Sequence, residues 1–491
     1  MSAPVSTCEN PRGPASASGP IPSVRLPLFG VVAATMMLAP SGVEGQDYYT
    51  DIRPLLVQNC LVCHTDESIA WSMEDPEEAY ARRHMIAHMI VDRQMPPWIA
   101  EAGHQEYHGD PSLDNEAIRL VEAWRQGGFE SGEPRPDPAI DAMDHAHHYG
   151  ADIRADLSVA VLPGESYLPD QSQPDDYRCF VVDWPDDEPG FVTGFRASPG
   201  NPRVAHHAVI YAVDPEVADR FHALSDAEER DGYQCFGGAL PDRFGQPAVR
   251  EAYEAEYPDG VRELDRSNFW LAHWAPGMDG HRFPDSTGIR VEPGSALVVQ
   301  MHYYSQDAPG EVDADTRLDF EIERSVERPA FHLPQTRSAW LTAARNQSMV
   351  IPPGSTETYA YTDVLQDIIP YIARVAAVDP ERIEALEIHS VNLHMHAFGH
   401  SGRVTLRDRN GRVETLLSVP RWDLNWQRDF TFLEPKVFQR GELGQTSLSV
   451  ECTFRNPGSE PVYGGFGSFD EMCFNFAYIA VRSTPAADED G

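Results

Sequence analysis

Five consecutive residues, Cys60-Leu61-Val62-Cys63-His64, carry the most specific chemistry in the chain. Two thiols at this spacing can bond the two vinyl groups on one haem edge, while His64 approaches the iron from the proximal side. A lone dithiol or half a zinc site is the competing reading, but no second CxxC or paired histidine follows at finger spacing. Met95, in RQMPPW, offers a thioether on a proline-stiffened loop after a helix. It suits the sixth position on the iron, with His84 and His88 as alternatives.

A second set of soft and nitrogen donors lies downstream. His206 and His207 are adjacent, and neighbours on a regular strand point to opposite faces, so both can serve one metal only at a bulge or strand end. One core and one exposed histidine is the plainer reading of that pair taken alone. His302, two residues after Gln300 on the same strand face, can supply a third imidazole. His394 and His396 have period two, which puts both rings on one face of a strand as a natural ligand pair, with His389 and His400 nearby. Met472, in GGFGSFDEMC, brings a thioether that with two imidazoles favours Cu(I) over zinc or iron, although a single methionine is more often core.

The elements that must position these residues divide the chain. From Asp47 to Glu130, apolar residues recur at three- and four-residue spacing in IRPLLVQNCLVCH, AYARRHMIAHMIV and DNEAIRLVEAWRQGG, which predicts a small helical domain over 47–130. Prolines and charges over 131–152 mark a linker, and its His145, His147 and His148 read as solvated. From Ile153 the pattern becomes short alternating runs broken by Pro, Gly, Asn and Asp, as in YRCFVVDW, HHAVIYAV and GRVTLRD. These predict antiparallel β-sandwiches. Residues 153–485 are long for one sandwich, so two in tandem are expected, 153–328 and 329–485, with one helical insertion over Val364–Leu386 and a short acidic tail over 486–491. The fold class is thus multidomain, an all-α unit followed by two sandwiches.

Composition narrows the function classes. A formal net charge of −39, with Lys436 as the only lysine, excludes a nucleic-acid partner, because phosphate binding needs Lys and Arg. Arg25 followed by a short apolar run to Ala39, then small and turn-forming residues to Gly45, reads as an export signal over 1–45 with an unusually long start. No later stretch reaches membrane-spanning length, so no membrane span is expected in the mature chain. Covalent haem attachment together with export points to the periplasm of a Gram-negative bacterium. Outside the leader and the CxxC pair, four cysteines remain, Cys179, Cys235, Cys452 and Cys473, enough for two disulfides whose pairing counting cannot decide.

Two resemblances follow from these motifs. The stretch from DYYTDIRPLLVQNCLVCH to DRQMPPW resembles small bacterial cytochrome c domains. HH, QMHY, HxH and GG…SFDEMC, in that order over 153–485, resemble the copper type II, ascorbate-dependent monooxygenases, the family of peptidylglycine hydroxylating monooxygenase and dopamine β-monooxygenase. That resemblance implies one copper in each sandwich. His206, His207 and His302 would hold the electron-transfer copper, and His394, His396 and Met472 the copper that binds oxygen and substrate. It also implies a Cys452–Cys473 disulfide, leaving Cys179 with Cys235.

The chain departs from the peptidylglycine pattern at three points. Asn392 stands where an arginine precedes HxH, and Phe474 and Phe476 replace an Asn and a Tyr after the methionine; those family residues grip a substrate carboxylate. A fused haem also stands beside, or in place of, ascorbate. The expected activity is therefore hydroxylation of a C–H bond of a small apolar molecule with O2. The cofactors are two copper ions and one c-type haem. Electrons come from an ascorbate-like reductant or a redox protein, and the haem is expected to pass them singly to the His206/His207/His302 copper. The alternative is a non-catalytic periplasmic electron-transfer or copper-binding protein, which would show no substrate-dependent oxygen uptake.

Overall fold

A computed structural model describes residues 45–484 except 62, 67–70, 140–152, 163–165, 174, 236–237, 242, 244–246, 275–279, 307, 338–339, 341–348, 425 and 466–469. The export signal, His145, His147 and His148 of the linker, and the acidic tail lie outside the described residues. Gly45–Gly491 make up one compact unit.

The N-terminal part is helical, as its periodicity requires. A π-helical turn, Tyr48–Ile52, leads into Arg53–Asn59, followed by Pro76–Ala81, Arg83–Val91 and Asn115–Gln126. Asp75 and Asp114 start two of these helices, each accepting two backbone N–H bonds that the first turn leaves unmade. Tyr48, Ile52, Leu56, Ile86, Ile90, Val121, Trp124 and Phe129 form a separate small core. Arg53 is buried beneath it, and Asp137 and the Met73 and Glu74 carbonyls satisfy its guanidinium.

The remainder is β-sheet. One ten-stranded sheet runs through both halves: Leu157–Ala160, Arg317–Glu323, Gly190–Ser198, Thr287–Val291, Arg328–Gln335, Phe474–Ser483, Ile383–Val391 and Phe430–Gln439 in order, with Leu393–His394 and His281–Arg282 at its margins. Arg328–Gln335 joins the halves by pairing in parallel with Thr287–Val291 and antiparallel with Phe474–Ser483. A five-stranded sheet lies in the first half, in the order Tyr233–Gln234, Asp175–Asp183, Ala296–Tyr304, Ala205–Val213 and Asn268–Trp274. A four-stranded sheet lies in the second, Thr356–Val364, Ser447–Arg455, Gly399–Arg407 and Val413–Val419. Along Ser447–Arg455, Leu448, Val450, Cys452 and Phe454 are buried at every second position, the period-two signature of a half-covered sheet.

Two sequence expectations need correction. Ala296–Tyr304 is buried on both faces except at its end, because helices Ala218–Asp226 and Gly260–Arg266 cover the outer side of its sheet. Phe221, Leu224, Val261 and Leu264 pack there on Val209, Tyr211 and Val298. The alternating strands around these helices masked their spacing. The insertion over Val364–Leu386 is helical only in part, Leu365–Ile368, Ile369–Val375 and Pro380–Arg382. Ile383–Leu386 already belong to a strand, where Ala385 and Leu386 pair with Arg482 and Val481. A central ladder with partners on both sides outweighs the weak helical preference of four residues.

Candidate metal centres

The first centre arises from a register shift. His302 pairs with His207, but Tyr303 pairs with Ala205, so His206 is an extra residue in its strand. Such a bulge turns adjacent side chains toward one side. The ring nitrogens of His206, His207 and His302 gather within 4.8 Å of one another. His207 Nδ1 lies 3.2 Å from His302 Nδ1 and 3.4 Å from His206 Nδ1.

A neutral ring nitrogen has one proton or one lone pair, so His207 Nδ1 can satisfy only one of those two contacts as a hydrogen bond. Donors about 2.0 Å from a tetrahedral metal stand about 3.3 Å apart, which matches the observed spacing. His302 donates its Nε2–H to Asp175 Oδ1 at 2.8 Å, so its Nδ1 keeps the lone pair a metal needs. Tyr177 stacks flat on His302, with ring centres 4.1 Å apart. Gln300, on the same face, is committed elsewhere, donating to the Gly238 carbonyl at 2.8 Å beside Cys235.

Burial drives the titration of this group. It takes His206 down to about 4, with repulsion from His302 adding to the effect. Burial also holds His207 well below its usual value, and repulsion from His302, His206, His394 and His396 adds to the effect. Neutral imidazole is the ligand form.

The second centre is assembled from separate segments. Leu393–His394 pairs with Asn475 and Phe474, and His396 follows two residues later. The two rings are perpendicular, with centres 5.2 Å apart. His394 Nδ1 bonds Gln427 Oε1, and His396 Nδ1 bonds the Asp470 carbonyl at 3.0 Å. Each Nδ1–H is thereby spent on a fixed oxygen, so each Nε2 carries the ring's lone pair, the form a metal ligand takes.

Met472 is buried in the segment that holds His396. Glu471 joins the two, its carboxylate accepting the backbone N–H groups of His396 at 2.9 Å, Phe398 at 2.6 Å and Met472 at 3.3 Å. Burial pushes this carboxyl up to about 7 against the pull of those bonds. The Cys452–Cys473 disulfide anchors the other side of Met472, and Cys179–Cys235 is also formed. Trp422 donates to the His396 carbonyl at 3.0 Å and lies over Gly399, where a Cβ would stand 2.5 Å from the indole. Two imidazoles and one thioether brought to one ion would make a soft donor set suited to Cu(I).

Residues 340–485 match the family model of the C-terminal domain of copper type II ascorbate-dependent monooxygenases. These enzymes are oxidoreductases that use copper, O2 and an ascorbate-like reductant, and the match covers the whole second centre. No curated protein matches the chain. Among solved structures, PNGF-II is similar at 7% identity, covering 77% of this chain and 72% of its own, with a TM-score of 0.27. The VP2 subviral particle of infectious bursal disease virus is 11% identical over 65% of this chain and 75% of its own, with a TM-score of 0.17.

Other candidates lie apart from both centres. His389 bonds Glu387 at 3.0 Å in a buried network with Arg328 and Arg482, and His400 is exposed. In the helical part, Cys60 is buried and Cys63 half-buried, and neither belongs to the two disulfides. His64 donates Nδ1–H to the Trp71 carbonyl at 2.7 Å, so Nε2 carries the lone pair, the tautomer a haem proximal ligand takes. Met95 is half-buried.

Residues that sequence reading named, Phe474, Phe476 and Asn392, and three that it missed, Trp270, Asp429 and His273, surround the second centre. Phe474 and Phe476 stack 5.5 Å apart beside His394, and Phe476 meets Trp270 of the first half at 4.2 Å. Asn392 donates to buried Asp429 at 3.0 Å, and His273 Nε2 lies 3.7 Å from the same carboxylate. The Phe474 and Phe476 departures were the sequence signal for this wall.

Proposed function

We propose that the chain is an exported, periplasmic copper-dependent monooxygenase. It hydroxylates a C–H bond of a small apolar substrate with O2 and draws electrons through a fused c-type haem. The observation that carries the reading is the cluster of three imidazole nitrogens within 4.8 Å of one another, with His394, His396 and Met472 inside the matched copper domain. Residues 47–130 form the haem domain, 131–152 the linker, 153–328 the sandwich of the electron-transfer copper and 329–485 that of the oxygen copper.

Copper, when bound, supplies one-electron redox chemistry and O2 activation, so that a C–H bond, O2, two electrons and two protons become C–OH and water. His206, His207 and His302 hold one ion, with Asp175 fixing the tautomer. His394, His396 and Met472 hold the other, with Gln427 and Glu471 fixing two ligands. Cys60 and Cys63 anchor the haem, and His64 and Met95 ligate its iron.

Phe474, Phe476 and Trp270 make an apolar wall beside His394 that excludes water and accepts a hydrophobic substrate. A substrate carboxylate is disfavoured, because the Asn392 amide is already engaged and Asp429 adds negative charge. Elemental analysis with a reduced pyridine-haem spectrum is expected to return one haem and about two coppers per chain. Apolar substrates should then stimulate oxygen uptake. Haem without copper, or copper without substrate-dependent uptake, would defeat the reading in favour of a non-catalytic electron-transfer or copper-binding protein.

A further inference from the structure

The segment that follows Met95 leaves the helical core and joins the second sandwich. Ala100 and Tyr107 belong to the main sandwich core, and Trp98 and Ile99 pack against it. Glu101 N–H donates to the Ser418 carbonyl at 2.7 Å, and its carboxylate takes the Ser418 hydroxyl at the same distance. His108 N–H bonds the Thr431 carbonyl at 2.8 Å, and Tyr107 donates its hydroxyl to the Leu416 carbonyl at 2.6 Å. Each of these ties reaches the sandwich of the second centre.

One short run meets this segment and a candidate copper ligand. At its start, Gln427 Oε1 accepts the Nδ1–H of His394. At its end, the Phe430 ring stands 5.1 Å from Trp98 and 5.4 Å from Tyr107. Between them, the Arg428 guanidinium lies 5.1 Å from the Trp98 ring centre. Trp98 is thus one side-chain contact and one peptide unit away from the residue that holds His394. Two prolines, Pro96 and Pro97, are all that separates Trp98 from Met95, and their fixed φ angles stiffen the link.

We infer that Trp98 and the run Gln427–Phe430 carry the haem electron directly into the His394/His396/Met472 centre, without passage through His206, His207 and His302. This rests on the haem and copper reading above and replaces the His206/His207/His302 entry point expected from the sequence. With both groups bound, Cys60, Cys63, His64 and Met95 would hold the haem as the one-electron donor and His394, His396 and Met472 the copper as acceptor, so that Fe(II) oxidised to Fe(III) would balance Cu(II) reduced to Cu(I) with no proton or bond exchanged. Side chains in contact shorten the through-space gaps that slow electron tunnelling, and here the contact chain ends on a ligand of the second centre.

The test uses the full chain loaded with haem and copper. Under anaerobic conditions the haem is reduced by a light-triggered single electron, then its re-oxidation is followed by absorbance and Cu(II) by electron paramagnetic resonance. His206→Ala is expected to leave haem re-oxidation unchanged, whereas Met472→Ala abolishes it. Trp98→Leu is expected to slow it more than about tenfold at unchanged haem content and potential, with Trp98→Phe restoring most of the rate. Loss of re-oxidation in His206→Ala, or an unchanged rate in Trp98→Leu, would overturn this route while leaving the monooxygenase reading standing. A purified chain without haem would overturn both.

Discussion

The two centres are built in opposite ways. The first draws three imidazoles from two neighbouring strands, and one bulge at His206 decides their convergence. The second draws on 393–396, Gln427 and 470–473, segments distant in sequence, and is closed by Glu471, a disulfide and Trp422. A ladder with a local irregularity sets the first donor set. Side-chain ties between loops set the second, beside the Phe474 and Phe476 wall. That contrast suits a centre that only exchanges electrons and one that must also admit O2 and substrate.

Removing a ligand from each should break the comparison most sharply. Met472→Ala is expected to abolish hydroxylation and lower copper from two to about one per chain, with circular dichroism unchanged. His302→Ala should lower copper equally but leave a reduced second centre able to bind substrate, which equilibrium binding measures. Equal loss of substrate binding in both variants would erase the division of labour.

The disulfides give the next effect. They close spans of 56 residues at Cys179–Cys235 and 21 residues at Cys452–Cys473. Loop-closure entropy alone makes their removal cost about 4 and about 3 kcal/mol. Serine replacements should follow that order in denaturant unfolding. Copper retention should reverse it, because Met472 adjoins Cys473, whereas His206 and His207 lie well inside the longer span and are set by strand pairing.

The smallest effect separates the groups that orient ligands. Asp175→Asn and Gln427→Leu are each expected to weaken copper about 10- to 100-fold at their own centre only, measured by competition with a calibrated chelator. A loss at both centres from either substitution would mean that the two are not independent.

Much of this was legible in the chain. Helical spacing over 47–130 and alternation after Ile153 forecast the main elements, and ligand chemistry singled out the histidines. The helices over 218–226 and 260–266 were not legible, because their apolar residues cover a sheet whose outer face has no sequence marker. Gln427, Glu471, Asp429 and Trp270 are ordinary residues in sequence. Their meaning comes from partners 33 positions away for Gln427 with His394 and 75 for Glu471 with His396.

Residue type and local period by themselves determined which donors exist, which of them share a strand face, and that a thiol pair precedes His64. Only the tertiary structure decided that His206 and His207 turn to one side, since a bulge is a property of the pairing between strands. It likewise decided that the helical unit's trailing segment lies on the sandwich of His394, because burial of Trp98 and Tyr107 needs a surface that no nearby residue supplies.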